Sequence, residues 1–259
     1  MQRLFFFNSQ GLNLAGVLHR SRKKLSQVVI ISHGFAANKD RTRHVRLAEA
    51  LLDAGFAALR FDFGGCGESG DREITVRGQV DDLQSVIHEM REQGYTSIGL
   101  LGESLGGLTS VLAYDAQIRA LVLWAPVTAS KTPSLIQTEE MHTEIRQKGF
   151  VLYHKDGRAF RIPREYIEER QAIRQQETLS RITAPVLIIH GDSDEVVPLQ
   201  QSRDALRFLP KSSRLEIIPG GNHRFEHAGD RLISLSADWF TRHLLSPAPA
   251  RSRLGRARA

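Results

Sequence analysis

Four stretches of this chain are apolar from end to end: residues 28–31, 98–101, 121–123 and 186–189. A strand with one wet face alternates apolar and polar residues, so an unbroken apolar strand must be covered on both faces. Between these stretches lie segments with helical spacing. Val45, Leu47, Ala48, Leu51 and Leu52 make one stripe, ended by Gly55; Val80, Leu83, Ile87 and Met90 make another, ended by Gly94. The alternation predicts an α/β fold with a mostly parallel central sheet and helices on both faces. Ligands of such sheets gather beyond the carboxyl ends of the strands. Polar residues that directly follow a strand are therefore the first candidates for function.

The pattern predicts a hairpin from residues 4–7 and 12–18, then strands at 28–32, 57–63, 97–101, 118–124, 185–190 and 214–218. Helices are expected at 43–54, 76–93, 108–114, 200–208 and 232–244. Residues 127–178 break the rhythm. They are charged, with helical pieces near 133–148 and 163–178 around a hairpin-like stretch that turns at Asp156-Gly157. The expected organisation is a core of 1–126 and 179–245, an inserted lid at 127–178, and a disordered basic tail at 246–259.

The 259 residues suffice for one large α/β domain, and no apolar run approaches the roughly 18–20 residues that span a bilayer. One cysteine, Cys66, rules out an internal disulfide and suits a reducing cytoplasm. The formal charge is +6, but four arginines (Arg251, Arg253, Arg256, Arg258) crowd the last nine residues, which hold no acid. With no zinc-finger spacing, recognition helix or aromatic RNA-binding motif, nothing points to specific nucleic-acid binding.

Gly102-Glu103-Ser104-Leu105-Gly106 stands between a buried strand and a helix. A serine hydroxyl is a weak nucleophile until a tight turn presents it to a base and to N–H donors. Among ten histidines, His223 follows a strand and the glycine-rich 220–222, a loop able to swing an imidazole over the sheet; His227 is the second choice. The loop at 191–198 offers Asp192, Asp194 and Glu195 as the orienting acid, and Asp192 also suits a turn. The backbone N–H groups of Leu105 and Phe35 are positioned in the chain to hold a developing oxyanion. His33 is read as a loop-fixing residue, and Gly64 to Gly70 as a tight structural loop, since no Gly-Lys-Ser/Thr phosphate motif follows. Glu103, beside the serine, demands a partner that the sequence does not name. No cluster has metal-ligand spacing, and serine chemistry needs no cofactor.

His33-Gly34-Phe35, Arg60-Phe61-Asp62 with Gly65-x-Gly67-x-Ser69, Gly102-x-Ser104-x-Gly106-Gly107, His190-Gly191 with Asp194 and Val197-Pro198, and Gly221-Asn222-His223 occur in this order. In these motifs the chain resembles the α/β-hydrolase superfamily over nearly all its length, and within it the compact bacterial esterases of the cinnamoyl (feruloyl) group. The resemblance implies Ser104 as nucleophile, Asp194 as acid, His223 as base, the Phe35 and Leu105 N–H groups as oxyanion hole, and a short lid. The expected activity is hydrolysis of small-to-medium, including aromatic, acyl esters of small molecules, with Tyr153 and Tyr166 as candidate substrate contacts. A serine peptidase or acyltransferase, and a noncatalytic binding protein, are the alternatives.

Overall fold

The computed structural model describes residues 1–22, 25–130 and 138–245. The expected tail and the first part of the helical piece at 133–148 lie outside these residues.

The chain opens with the antiparallel pair β1 (Gln2–Phe7) and β2 (Asn13–His19). There follow β3 (Gln27–Ser32), α1 (Thr42–Asp53), β4 (Ala57–Phe61), α2 (Val76–Glu92), β5 (Ser97–Glu103), α3 (Leu105–Leu112) and β6 (Ile118–Trp124). A second group comprises α4 (Glu139–Lys148), the hairpin β7 (Phe150–Lys155) and β8 (Arg158–Pro163), α5 (Arg164–Gln171) and α6 (Gln175–Leu179). Last come β9 (Val186–Gly191), α7 (Leu199–Leu206), β10 (Arg214–Ile218) and α8 (Gly229–Leu244). The eight-stranded sheet runs β1-β2-β4-β3-β5-β6-β9-β10. Pairings from β4 to β10 are parallel, and β2 meets both neighbours antiparallel.

The continuous apolar strands are buried on both sides, as their lack of alternation requires. Val28, Ile30, Leu100 and Ile188 face one hydrophobic cluster with α2, while Val29, Ile31, Leu101 and Ile189 face another with α1 and α8. A third cluster forms around the end of β5. There Leu105 and Leu108 meet Val151, Phe160, Ile162, Tyr166 and Ile167 of the second group. Apolar burial thus attaches this group to the sheet beside the candidate serine.

Three boundaries differ from the sequence reading. Strand β4 stops at Phe61, two residues early, because Phe63 gives its N–H to His33 Nε2 (3.1 Å) instead of to a ladder. Helix α3 starts at Leu105, ahead of the apolar stripe, since Ser104 itself makes the turn. The single helical piece expected at 163–178 is two helices, broken at 172–174 where Ile173 turns inward to the third cluster. At the β7–β8 turn, Asp156 (φ 51°) and Gly157 (φ 75°) take the left-handed conformations that a two-residue hairpin needs.

Candidate active site

Ser104 joins β5 to α3 with φ 53° and ψ −113°, a conformation costly for a residue with a side chain. The surroundings enforce it. A Cβ on Gly102 would strike the Gly106 carbonyl, and one on Gly106 would lie 2.5 Å from the carbonyl oxygens of Ser32 and His33. Ser104 N–H donates to Trp124 O (2.8 Å), and Ser104 O accepts from Gly107 N (3.1 Å) and Val127 N (3.1 Å). The sharp turn and its hydrogen bonds leave Oγ half-buried at the carboxyl end of the sheet.

His223 arrives on the loop after β10. Gly191 permits this, because its Cα side packs directly against the Gly221 backbone. Further ties are Ser193 N to Gly221 O (3.0 Å) and Gly220 N to Asp192 Oδ1 (2.7 Å). Asp192 therefore does serve the turn. His223 Nε2 stands 3.1 Å from Ser104 Oγ, and its Nδ1 2.8 Å from Asp194 Oδ2. The structure thus brings together Ser104, Asp194 and His223 from three distant segments. Glu195 only approaches the His223 N–H (3.4 Å), and His227 is exposed.

Asp194 is tightly held. Its side chain is fully buried, its Oδ1 accepts from Val196 N and Val197 N (2.8 Å each), and its Oδ2 faces both His223 and His190. Burial pushes its pKa up, but the two histidines and the Val197 N–H outweigh it, so the carboxyl stays well below its usual range. His190 in this role went unseen in the sequence, where it read only as part of a His-Gly motif.

Glu103 finds its partners in α1. Arg43 bonds both its oxygens, one through Nε at 3.1 Å, and His44 Nε2 lies 2.8 Å from Oε2. Burial raises the Glu103 pKa, yet His44 and Arg43 more than offset it, leaving the carboxyl strongly depressed.

The loop after β3 packs against the serine: a Cβ on Gly34 would be 3.4 Å from Ser104 Cβ. His33 fixes this loop, with Nδ1 2.8 Å from Gly34 O and Nε2 accepting from Phe63 N–H. Lys39 and Asp62 clamp its far end. Asp62 accepts from Lys39 Nζ (2.9 Å), Lys39 N (2.6 Å) and Glu68 N (2.9 Å), and Ser69 Oγ donates to Asp62 O (2.6 Å). The glycine-rich 64–70 loop is thus occupied with its own backbone. Cys66 is buried there, its thiol pushed up to about 12 by burial. Leu105 opens α3, where an N–H has no intrahelical acceptor, and faces the same cavity as Phe35. Among the described residues no group of three or more His, Cys, Asp or Glu is placed to hold a metal.

A 410 Å³ cavity opens over Ser104 and His223. Phe35 and Leu105 line it from the core; Tyr153, Lys155, Tyr166 and Arg170 line it from β7 and α5. Phe35 packs against Tyr153 and Tyr166 with ring centroids 5.4 and 5.3 Å apart.

The family model described as Hydrolase_4, serine aminopeptidase S33, matches residues 23–176 and 151–228. The chain belongs to this family. As a Hydrolase_4 member it is similar to the mitochondrial palmitoyl-protein thioesterase ABHD10 of Mus musculus, 28% identical over 88% of this chain and 78% of that protein. It is also similar to the monoacylglycerol lipase of Mycolicibacterium smegmatis, 24% identical over 84% of this chain and 89% of that one. Among solved structures, ferulic-acid-bound Est1E of Butyrivibrio proteoclasticus matches with a TM-score of 0.82 and 25% identity, over 94% of this chain and all of that one. This Hydrolase_4 chain is an α/β-hydrolase enzyme, a serine-type carboxylic ester hydrolase that resembles the feruloyl esterase group. No helix of the described residues is long and apolar enough to cross a membrane.

Proposed function

We propose that this protein hydrolyses small-to-medium acyl esters through an acyl-Ser104 intermediate. The observation behind the proposal is the unbroken chain Ser104 Oγ, His223, Asp194 at 3.1 and 2.8 Å beside the cavity. His223 takes the Ser104 proton as Oγ attacks the ester carbonyl, then delivers it to the leaving alcohol. Asp194 keeps Nδ1 protonated, so Nε2 is free to act as base. The Phe35 and Leu105 N–H groups receive the oxyanion, each contributing about 3–4 kcal/mol in the transition state. Water then attacks the acyl-serine, with His223 again as base. Neither step calls on a cofactor.

In the same proposal, residues 127–178 form a lid inserted in the core, and its Tyr153 and Tyr166 make an aromatic wall with Phe35. That wall suits an aromatic or flat acyl group. The ferulic acid bound to Est1E supports an aromatic acyl group, and the thioesterase and lipase names of the other relatives support acyl hydrolysis in general. A cytoplasmic location belongs to the proposal too, resting on the single buried cysteine.

Aminopeptidase activity, which the family description names, requires an acid free to hold a substrate amine. Of the acids that line the cavity, Glu103 is engaged by Arg43, Glu226 accepts from Asn222 Nδ2 (2.9 Å) and Glu195 approaches the His223 N–H, while the buried Arg170 adds a cation. This favours esters. Ser104→Ala should abolish hydrolysis of 4-nitrophenyl butyrate while the fold persists, and a fluorogenic aminoacyl amide should be turned over far more slowly than the ester. Full turnover in pure Ser104→Ala protein overturns the proposal.

A further inference from the structure

We propose that the substrate carries a carboxylate and that Arg170 receives it; this rests on the ester-hydrolase reading of the same cavity. Arg170 lies on α5, 6% exposed, and lines the cavity that contains Ser104 and His223. Among the described residues its one side-chain hydrogen bond is a long one, from Nη1 to Tyr166 Oη at 3.4 Å. Its buried Nε has no partner among the described residues. No carboxylate of those residues forms an ion pair with it, and residues 23–24, 131–137 and 246–259 contain no Asp or Glu.

An unpaired buried guanidinium is costly, and protein interiors nearly always pair such a charge. Every other described arginine buried to this degree is paired: Arg60, 3% exposed, meets Asp40 at 2.9 Å and Lys39 O. Among the described residues no acid meets the planar fork of Arg170, and the residue lines the cavity of Ser104 and His223. That fork matches a carboxylate with two parallel N–H donors. Tyr166 reinforces the match. Its Oη accepts from Arg170, which leaves its own O–H to donate to a bound anion, and burial keeps that hydroxyl protonated. Lys155 and Arg41 line the same cavity and add positive potential; of the acids that also line it, Glu103 is buried but neutralised by Arg43, and Glu195 and Glu226 are exposed to water. The carboxylate neutralises Arg170 on binding, so binding removes a penalty already present in the free enzyme.

The test uses the full-length protein and three esters: neutral 4-nitrophenyl butyrate, mono-4-nitrophenyl glutarate with its carboxylate on the acyl side, and 4-carboxyphenyl butyrate with it on the leaving group. Wild-type kcat/KM should favour one of the two anionic esters over the neutral one by tenfold or more, and the favoured ester shows which side faces Arg170. In Arg170→Met the anionic-to-neutral ratio should fall at least tenfold, mainly through KM, with partial recovery in Arg170→Lys. Glutarate should raise the Tm of wild type and leave that of Arg170→Met unchanged. A merely structural arginine would lower turnover of all three esters together and leave their ratio intact, which overturns the proposal. So does normal butyrate turnover with no anionic preference and no glutarate shift, a result under which the esterase reading survives. Absence of all ester turnover with a glutarate shift that needs Arg170 has the opposite meaning: the anion site stands and the esterase reading falls.

Discussion

His190 lies 3.1 Å from Asp194, on the same carboxylate oxygen that His223 approaches at 2.8 Å. Both ring nitrogens of His190 are engaged. Nε2 also meets Val197 O at 2.9 Å, an atom that only accepts, so Nε2 carries a proton, and Nδ1 lies 2.6 Å from Ser202 Oγ. His190 is therefore a positioning residue: it fixes the acid that fixes the base. His190→Phe keeps an aromatic ring at the site and removes these bonds. A hydrogen bond to a charged group is worth about 1.5–3 kcal/mol, so kcat/KM for 4-nitrophenyl butyrate should drop roughly 10- to 100-fold, with a matching loss in urea stability. Unchanged kinetics and stability would show that Asp194 needs no second histidine.

Glu103 joins the nucleophile turn to α1 through Arg43 and His44. Glu103→Ala leaves a largely buried Arg43 without its counter-charge, and breaking a buried pair typically costs about 3–5 kcal/mol. Urea denaturation should show a loss near the lower end of that range, because Arg43 is 18% exposed and keeps a bond to Arg224 O. A loss under about 1 kcal/mol, the worth of a surface pair, would mean that the charge is solvated.

Gly102→Ala is expected to be far worse than a usual glycine replacement. Its Cβ meets the Gly106 backbone, which cannot move without displacing Ser104. The expected outcome is esterase activity reduced at least 100-fold together with a lower Tm. Gly94→Ala, at φ 90° but with open space around it, should cost stability alone. Equal activity losses in the two variants would contradict a steric role for Gly102.

Much of this arrangement was legible in the residues. Unbroken apolar runs identify buried parallel strands because burial on both faces leaves a one-dimensional mark. Ser104, Asp194 and His223 follow strands, so their convergence is a matter of topology. Arg170 and His190 left no such mark. Each acts through what surrounds it in space: the absence of an acid near one, and an oxygen shared with His223 near the other. Glu103 was visible as an anomaly, but Arg43 lies 60 residues away on another element. The break between α5 and α6 was hidden for a related reason, since helical spacing continues across it and only tertiary burial of Ile173 ends the helix.

Two histidines give the largest resolved histidine shifts behind the pH dependence of stability; His243, lowered by burial, acts in the same sense, and Asp82 and Glu169, raised by burial, act in the opposite one. Burial lowers His33 to about 4, and burial together with Arg60 lowers His19 to about 4, against 6.5 when unfolded. Between pH 6.5 and 4 the unfolded chain binds protons that the folded chain refuses, so stability falls as pH falls. The slope should approach about 1.4 kcal/mol per pH unit for each histidine in mid-window. Asp194 and Glu103, both depressed, act in a separate window, losing their contribution only below about pH 4. Urea midpoints from pH 7 to 4.5 should show the slope, reduced by about one proton in His33→Asn. A flat profile would mean that His33 takes up its proton while folded.

The most direct measurement is the site of covalent capture by a fluorophosphonate. Intact mass and peptide mapping should show one adduct per chain, on Ser104, lost in a folded Ser104→Ala protein and sharply slowed in His223→Ala. An adduct on another residue, or none under conditions where the protein still hydrolyses esters, would contradict Ser104 as the nucleophile.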